Sequence, residues 1–195
     1  MKIAIISDTH GNIANFRKAV DWLNKENIRT ILHCGDIGSP ESLKESLADF
    51  KGEFFGVFGN MDKDFKILVE EYNKILKVHP VKSVEGGVSP EAKQFNRVKI
   101  NEDIFETEID KKKIAITHFP EKAKKLVQSG KYDLVFYGHT HRPWDEKVPV
   151  LNGAEGGECH IINPGELAGQ FFKPAFAVYD TSTGNIELKI LERLD

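Results

Sequence analysis

The chain has 195 residues, enough for one compact domain with a sizeable core, and its 40% hydrophobic, 29% charged composition is that of an ordinary soluble globular protein. A net charge of -3 offers no basic face for nonspecific nucleic-acid binding, and apolar runs of only strand length argue against a membrane span. Two cysteines, Cys34 and Cys159, make no disulfide framework, and with no signal peptide legible a cytoplasmic location is expected.

Residues 2–6 form an apolar, β-branched run that stops at Ser7-Asp8-Thr9-His10-Gly11-Asn12. A helix follows, with Ile13, Phe16, Val20 and Leu23 at helical spacing and Asn12 as its cap. A second run, residues 30–34, ends at Gly35-Asp36, and Pro40 opens a short helix carrying Leu43, Leu47 and Phe50 on one face. The third, residues 53–58, ends at Gly59-Asn60-Met61-Asp62 and precedes an amphipathic helix with Phe65, Leu68 and Tyr72 on one side. The middle changes character. Residues 78–84, 95–100 and 104–109 read as strands around a turn-rich Glu85-Gly86-Gly87-Val88-Ser89-Pro90, so a hairpin-rich insertion is expected around 81–112. The basic Lys111-Lys112-Lys113 reads as a solvated turn between strands. Residues 113–117 then run to His118, a helix covers 121–128, and residues 134–137 run to Gly138-His139-Thr140-His141. Residues 159–162 end at Asn163-Pro164-Gly165, and a hairpin of 175–179 with 186–191 closes a single domain spanning 1–195.

A buried run followed by a small or polar residue and a metal-capable side chain recurs throughout. Asp8, His10, Asp36, Asn60, His118, His139 and His141 all lie just past such runs. In open α/β sheets, ligands bind in the crevice beyond the carboxyl ends of the strands, so parallel neighbours would gather these side chains on one rim. Three oxygen donors and four imidazoles suit a pair of divalent transition ions. Calcium or magnesium would call for mostly oxygen, and the set is too large for one tetrahedral centre. Two ions roughly 3.5–4 Å apart need a bridging carboxylate and can hold a bridging water whose pKa falls from about 15.7 toward about 7.

The ordered set Asp8-Thr9-His10-Gly11-Asn12, Gly35-Asp36, Gly59-Asn60-Met61-Asp62, His118, Gly138-His139-Thr140-His141 and Asn163-Pro164-Gly165 resembles the calcineurin-like metallophosphoesterases, in their small prokaryotic phosphodiesterase branch. The resemblance implies an α/β fold: a four-layer α/β/β/α sandwich of two mixed sheets with the metals at one edge. It also implies that Asp8, His10 and His141 hold one ion, that Asp36 bridges, and that Asn60, His118 and His139 complete the second. Asp36, Asn60 and His118 would also act in catalysis. Three positions depart from the family pattern. Met61 stands where many members carry a histidine that touches phosphate or protonates the leaving group, although the small branch also lacks it. Phe119 follows His118 where Gly is usual, and Glu166 follows the Asn163-Pro164-Gly165 turn where Ser is common.

The expected activity is hydrolysis of small phosphodiesters by a hydroxide bridging two divalent ions, with manganese or nickel favoured and iron or zinc as alternatives. Without a histidine at position 61, good leaving groups should be preferred, because general acid catalysis is worth about 10²–10⁴-fold. Arg142 is a candidate phosphate contact. His33 reads as a packed histidine, Trp144 as a packing aromatic, and His79 and His160 match no motif. Two alternatives stand beside this reading. One is a metal-binding interaction scaffold, like the retromer subunit of the same fold, which has lost part of the histidine set. The other is a nuclease, disfavoured because the chain has no sustained basic stripe. Residues 81–112 could equally serve substrate binding or homo-oligomer contact.

Overall fold

The first strand, β1 (Lys2–Ile6), faces two cores at once. Its successive side chains point to opposite sides. Ala4 and Ile6 join a cluster with residues of the first two helices, while Ile3 and Ile5 join a cluster built from both sheets. The computed structural model describes residues 1–62, 98–150 and 157–194.

After β1 come α1 (Ile13–Lys25), β2 (Thr30–His33), α2 (Pro40–Ser46) and β3 (Glu53–Val57). Asn12 caps α1 as expected, its side-chain oxygen accepting the Asn15 N–H at 3.1 Å. A reciprocal Ser39–Ser42 box, with Pro40 in the first turn, starts α2. That helix stops at Ser46, so Leu47 and Phe50 reach the core from its end and from the following turn rather than from one helical face. Next are β4 (Val98–Asn101), β5 (Ile104–Ile109), β6 (Lys112–Thr117), α3 (Pro120–Gln128), β7 (Leu134–Phe136), β8 (Trp144–Pro149) and β9 (Glu158–Asn163). The closing hairpin is β10 (Ala175–Asp180) with β11 (Asn185–Ile190).

The strands form two mixed sheets, ordered β11-β10-β1-β2-β3-β4 and β5-β6-β7-β9-β8. Phe16, Val20, Leu23 and Leu43 of α1 and α2 pack on the outer face of the first sheet. Ala123 and Val127 of α3 pack on Val135, Cys159 and Ile161 at the outer face of the second. Between the sheets, Ile3, Ile5, Leu32 and Val57 meet Ile114, Ile116, Phe136 and Ile162. Three apolar layers therefore separate four structural layers in the order α/β/β/α, the expected architecture. The turn at Asp110 and Lys111, both with positive φ (50° and 65°), joins β5 to antiparallel β6; of the basic run expected to form this turn, only Lys111 lies in it, and Lys112 and Lys113 already pair within β6.

One expectation fails within the described residues. The strands expected at 95–100 and 104–109 do not pair with each other as a hairpin in their described residues, 98–101 and 104–109. Val98–Asn101 runs parallel to β3, with Phe54 opposite Val98, while Ile104–Ile109 belongs to the other sheet. The edge of β3 would otherwise be unpaired, and β4 fills it while Val98 and Ile100 pack on the helix-side core. The chain then crosses between sheets, and the Asn101 amide donates to the Ile104 carbonyl at 2.8 Å across the bend. The expected helix bearing Phe65, Leu68 and Tyr72, the expected strand at 78–84, and residues 81–97 of the anticipated insertion lie outside the described residues.

Candidate metal centre

β1, β2 and β3 are mutually parallel, as are β6, β7 and β9, so each sheet delivers its strand ends to one rim. Asp8 and His10 follow β1, Asp36 follows β2, Asn60 follows β3, His118 follows β6, and His139 and His141 follow β7. All seven side chains meet.

They fall into two groups. In the first, His10 Nε2 and His141 Nε2 lie 3.4 Å apart, and Asp8 Oδ1 is 3.9 and 3.3 Å from them. In the second, Asn60 Oδ1 is 3.0 Å from His118 Nε2 and 2.8 Å from His139 Nδ1, with those two nitrogens 3.3 Å apart. Asp36 Oδ2 stands between the groups, 4.0 Å from His10 Nε2 and 3.5 Å from His118 Nε2. Asp8 borders both as well, since its carboxylate can share one ion with Asp36 and His118. Asp8, Asp36 and His118 are buried, His10, Asn60 and His141 are half-buried, and His139 is exposed.

The backbone is bent to make this possible. Asp8, His10, Asp36, His139 and His141 all have left-handed φ, between 45° and 69°. Asp and His tolerate that region better than most residues, yet each instance costs on the order of 1–3 kcal/mol and needs surrounding structure to hold it. The surroundings are rigid. The Asp8, His10 and Gly11 amides donate to the carbonyls of Gly35, Asp36 and Ile37 at 2.9–3.0 Å, joining the first two loops. Buried Asp62 accepts the Ile37, Gly38 and Gly59 N–H groups at 2.8–3.2 Å, adding the third loop. Burial raises the Asp62 pKa, and the backbone hydrogen bonds oppose that rise. Asn163 donates to the Gly138 carbonyl and Thr140 Oγ1 at 2.9 and 3.0 Å, fixing the Gly138-His139-Thr140-His141 turn. Close approach also selects glycine: a Cβ at Gly59 would lie 2.1 Å from Asp36 Oδ1, and one at Gly138 2.0 Å from Ser7 Oγ.

These residues fit a divalent ion. Asp8 Oδ1 is a buried carboxylate oxygen with no hydrogen-bond partner, and it faces two imidazole nitrogens that also face each other. A cation shared by the three resolves both the orphaned acceptor and the nitrogen–nitrogen contact. Burial alone would raise the Asp8 pKa, but its contact with His141 and the charge of His118 outweigh that and lower it. Asp8 in turn raises the His141 pKa.

The other candidates separate cleanly. His33 is fully buried, its Nδ1 accepting the Gly35 N–H and its Nε2 facing Thr9 Oγ1, both at 3.1 Å, so it is a packed histidine as expected. Burial pushes its pKa down to about 3. His160, nearly buried, pairs with Asp145 on β8, away from the rim. Arg142 is exposed beside His141, and Trp144 is half-exposed on β8. Phe119 does not stand free at the rim; its ring packs on those of His118 and His139, with centroids 5.1 and 5.2 Å away. Sequence reasoning assigned no job to Asp62, Glu166 or Phe171. Yet Glu166 Oε2 lies 3.0 Å from His141 Nδ1, and the Phe171 ring stands edge-on to His141 at 5.1 Å.

A four-layer sandwich with an Asp/His/Asn cluster at its strand ends defines a phosphoesterase-type hydrolase. The chain belongs to the calcineurin-like phosphoesterase superfamily, whose domain model matches residues 1–184. Phosphodiesterase MJ0936 of Methanocaldococcus jannaschii is 32% identical over 196 residues, covering 98% of this chain and all of the relative. A solved structure described as a novel archaeal phosphodiesterase superposes with a TM-score of 0.74 at 30% identity, covering 97% of this chain and 99% of the other. Zinc-complexed Vps29 from Entamoeba histolytica shares the fold, with a TM-score of 0.57 at 16% identity and 97% coverage of both chains. The chain is therefore a hydrolase of the phosphoesterase class. No helix among the described residues is long and apolar enough to cross a membrane.

Proposed function

We propose that this protein hydrolyses small phosphodiesters with the help of two divalent transition ions, manganese or nickel before iron or zinc. The observation that carries the reading is the pair of donor groups bordered by Asp8 and Asp36, one containing a buried carboxylate oxygen with no partner. Asp8, His10 and His141 would hold one ion, Asp36 would reach both, and Asn60, His118 and His139 would complete the second. Bound there, the ions would supply a nucleophilic water at neutral pH and a charge clamp on the phosphoryl oxygens.

The chain's own residues do the rest. Asn60 turns Oδ1 toward His118 and His139, so its Nδ2, which has no partner among the described residues, would donate to a phosphoryl oxygen as charge builds. The His118 Nδ1 side faces the Cys34 carbonyl at 2.8 Å, so Nδ1 carries the proton and Nε2 is left as a donor to the ion. Asp36 accepts the Met61 N–H on Oδ1 at 2.8 Å, which leaves Oδ2 between the two groups. Met61 itself is 67% exposed, and its thioether moves no proton. Leaving-group protonation then falls to solvent, and Arg142 is a candidate phosphate contact at the mouth.

Two further readings go with this one. Residues 1–195 form one domain, a reading supported by a central core drawn from both sheets. The free, buried thiols of Cys34 and Cys159 suit a reducing cytoplasm.

The test is a matrix of manganese, nickel, iron and zinc against aryl and alkyl mono- and diesters, with His139→Ala as control. Aryl diesters should be turned over fastest, and the control should lose activity. Bound metal with no turnover in any combination would instead favour the scaffold. Salt-sensitive polymer binding with cleavage would favour the nuclease.

A further inference from the structure

Glu166 follows the turn after β9 and is fully buried. A carboxylate out of water must be met by donors. Its Oε2 faces His141 Nδ1 at 3.0 Å and accepts the Gln170 N–H at 3.1 Å, while Oε1 accepts the N–H groups of Phe171 and Phe172. A carboxylate flanked by three amides is an acceptor only, so the proton between it and the imidazole belongs on His141 Nδ1. Nε2 of the same ring is then the free donor, and it points at Asp8 Oδ1 and His10 Nε2, 3.3 and 3.4 Å away.

We propose that Glu166 is a positioning residue for the first ion. It fixes the tautomer and plane of His141, and the same carboxylate holds the loop at 170–172 whose Phe171 ring stands against that imidazole. A serine in this place would have a single oxygen on a shorter arm and could not serve ring and loop together. Coupling through one buried group makes the loop and the first ion's ligand a single unit. This inference rests on the reading of His141 as a ligand.

The test uses the purified full chain. Calorimetric titration with manganese should find two ions on the wild type. Glu166→Gln, which keeps the volume but replaces an acceptor oxygen with an amino group, should weaken one ion by about 10–100-fold and change the other little. In the zinc-loaded wild type, long-range ¹H–¹⁵N spectra should show His141 bound through Nε2 with a slowly exchanging Nδ1 proton, a readout that needs no variant. Zinc bound through His141 Nδ1 would overturn the proposal. So would unchanged manganese affinities in Glu166→Gln alongside a lowered Tm, because Glu166 would then be a loop staple alone. A wild type that binds no ion would instead sink the ligand reading, whatever Glu166 does.

Discussion

The two halves of the rim are built differently. In the first half, His141 is half-buried and backed by the Glu166 carboxylate. In the second, His118 is buried and backed by the Cys34 carbonyl, while its neighbour His139 is exposed. A carboxylate behind an imidazole makes the ring a stronger donor than a neutral carbonyl does. On the proposed assignment the first half should be the tighter seat, and the second, which includes Asn60, the exchangeable one.

Three experiments press on that contrast. Asp36→Asn should do the most damage, because Asp36 Oδ2 lies within 4.0 Å of a histidine in each half. Turnover should fall by roughly 10³-fold or more, with both metal affinities reduced. Only one affinity changing would deny Asp36 its shared place. Asn60→Ala should lower kcat by about 10²–10³-fold through loss of a phosphoryl contact. Steady-state kinetics that moved KM alone would rule out that role. Partial chelation should then remove the second ion first, with affinities separated by about tenfold, the lower end of such backing effects. Dialysis against graded chelator, followed by metal analysis, reads the order, and simultaneous loss would erase the distinction.

The smallest effect concerns stability. The folded pKa of His33 is about 3, below its ordinary 6.5, so the neutral ring's contribution is full above pH 6.5 and declines as pH falls toward 3. Over that window the unfolded chain binds a proton that the folded chain refuses. Unfolding free energy should drop by at most about 1.4 kcal/mol per pH unit. His33→Gln should flatten that limb in denaturant titrations, and an unchanged slope would locate the acid sensitivity elsewhere.

Asp8, His10, Asp36, Asn60, His118, His139 and His141 were legible because each follows an apolar run and parallel strands end together. The supports were harder to see. Glu166 reaches His141 across two separate loops, and no spacing encodes that distance. Asp62 lay in plain view beside Asn60, but its role depends on three amides from two loops meeting one carboxylate. Strand β8 reads Trp-Asp-Glu-Lys-Val-Pro, too polar to show an apolar alternation; it forms because β9 offers it an edge. The hairpin expected near 95–109 failed for a related reason. Local pattern marks a strand well enough, but which edge it joins is decided by the rest of the sheet.

The split of the donor set between the sheets has a mechanical consequence. Asp8, His10, Asp36 and Asn60 come from the first sheet, and His118, His139 and His141 from the second. In the proposed assignment each ion takes ligands from both, so it grips only a molecule whose two sheets are already docked. Metal then works as a clasp on the sandwich as well as a reagent. At a hundredfold excess over Kd, each ion would add about 2.7 kcal/mol against unfolding.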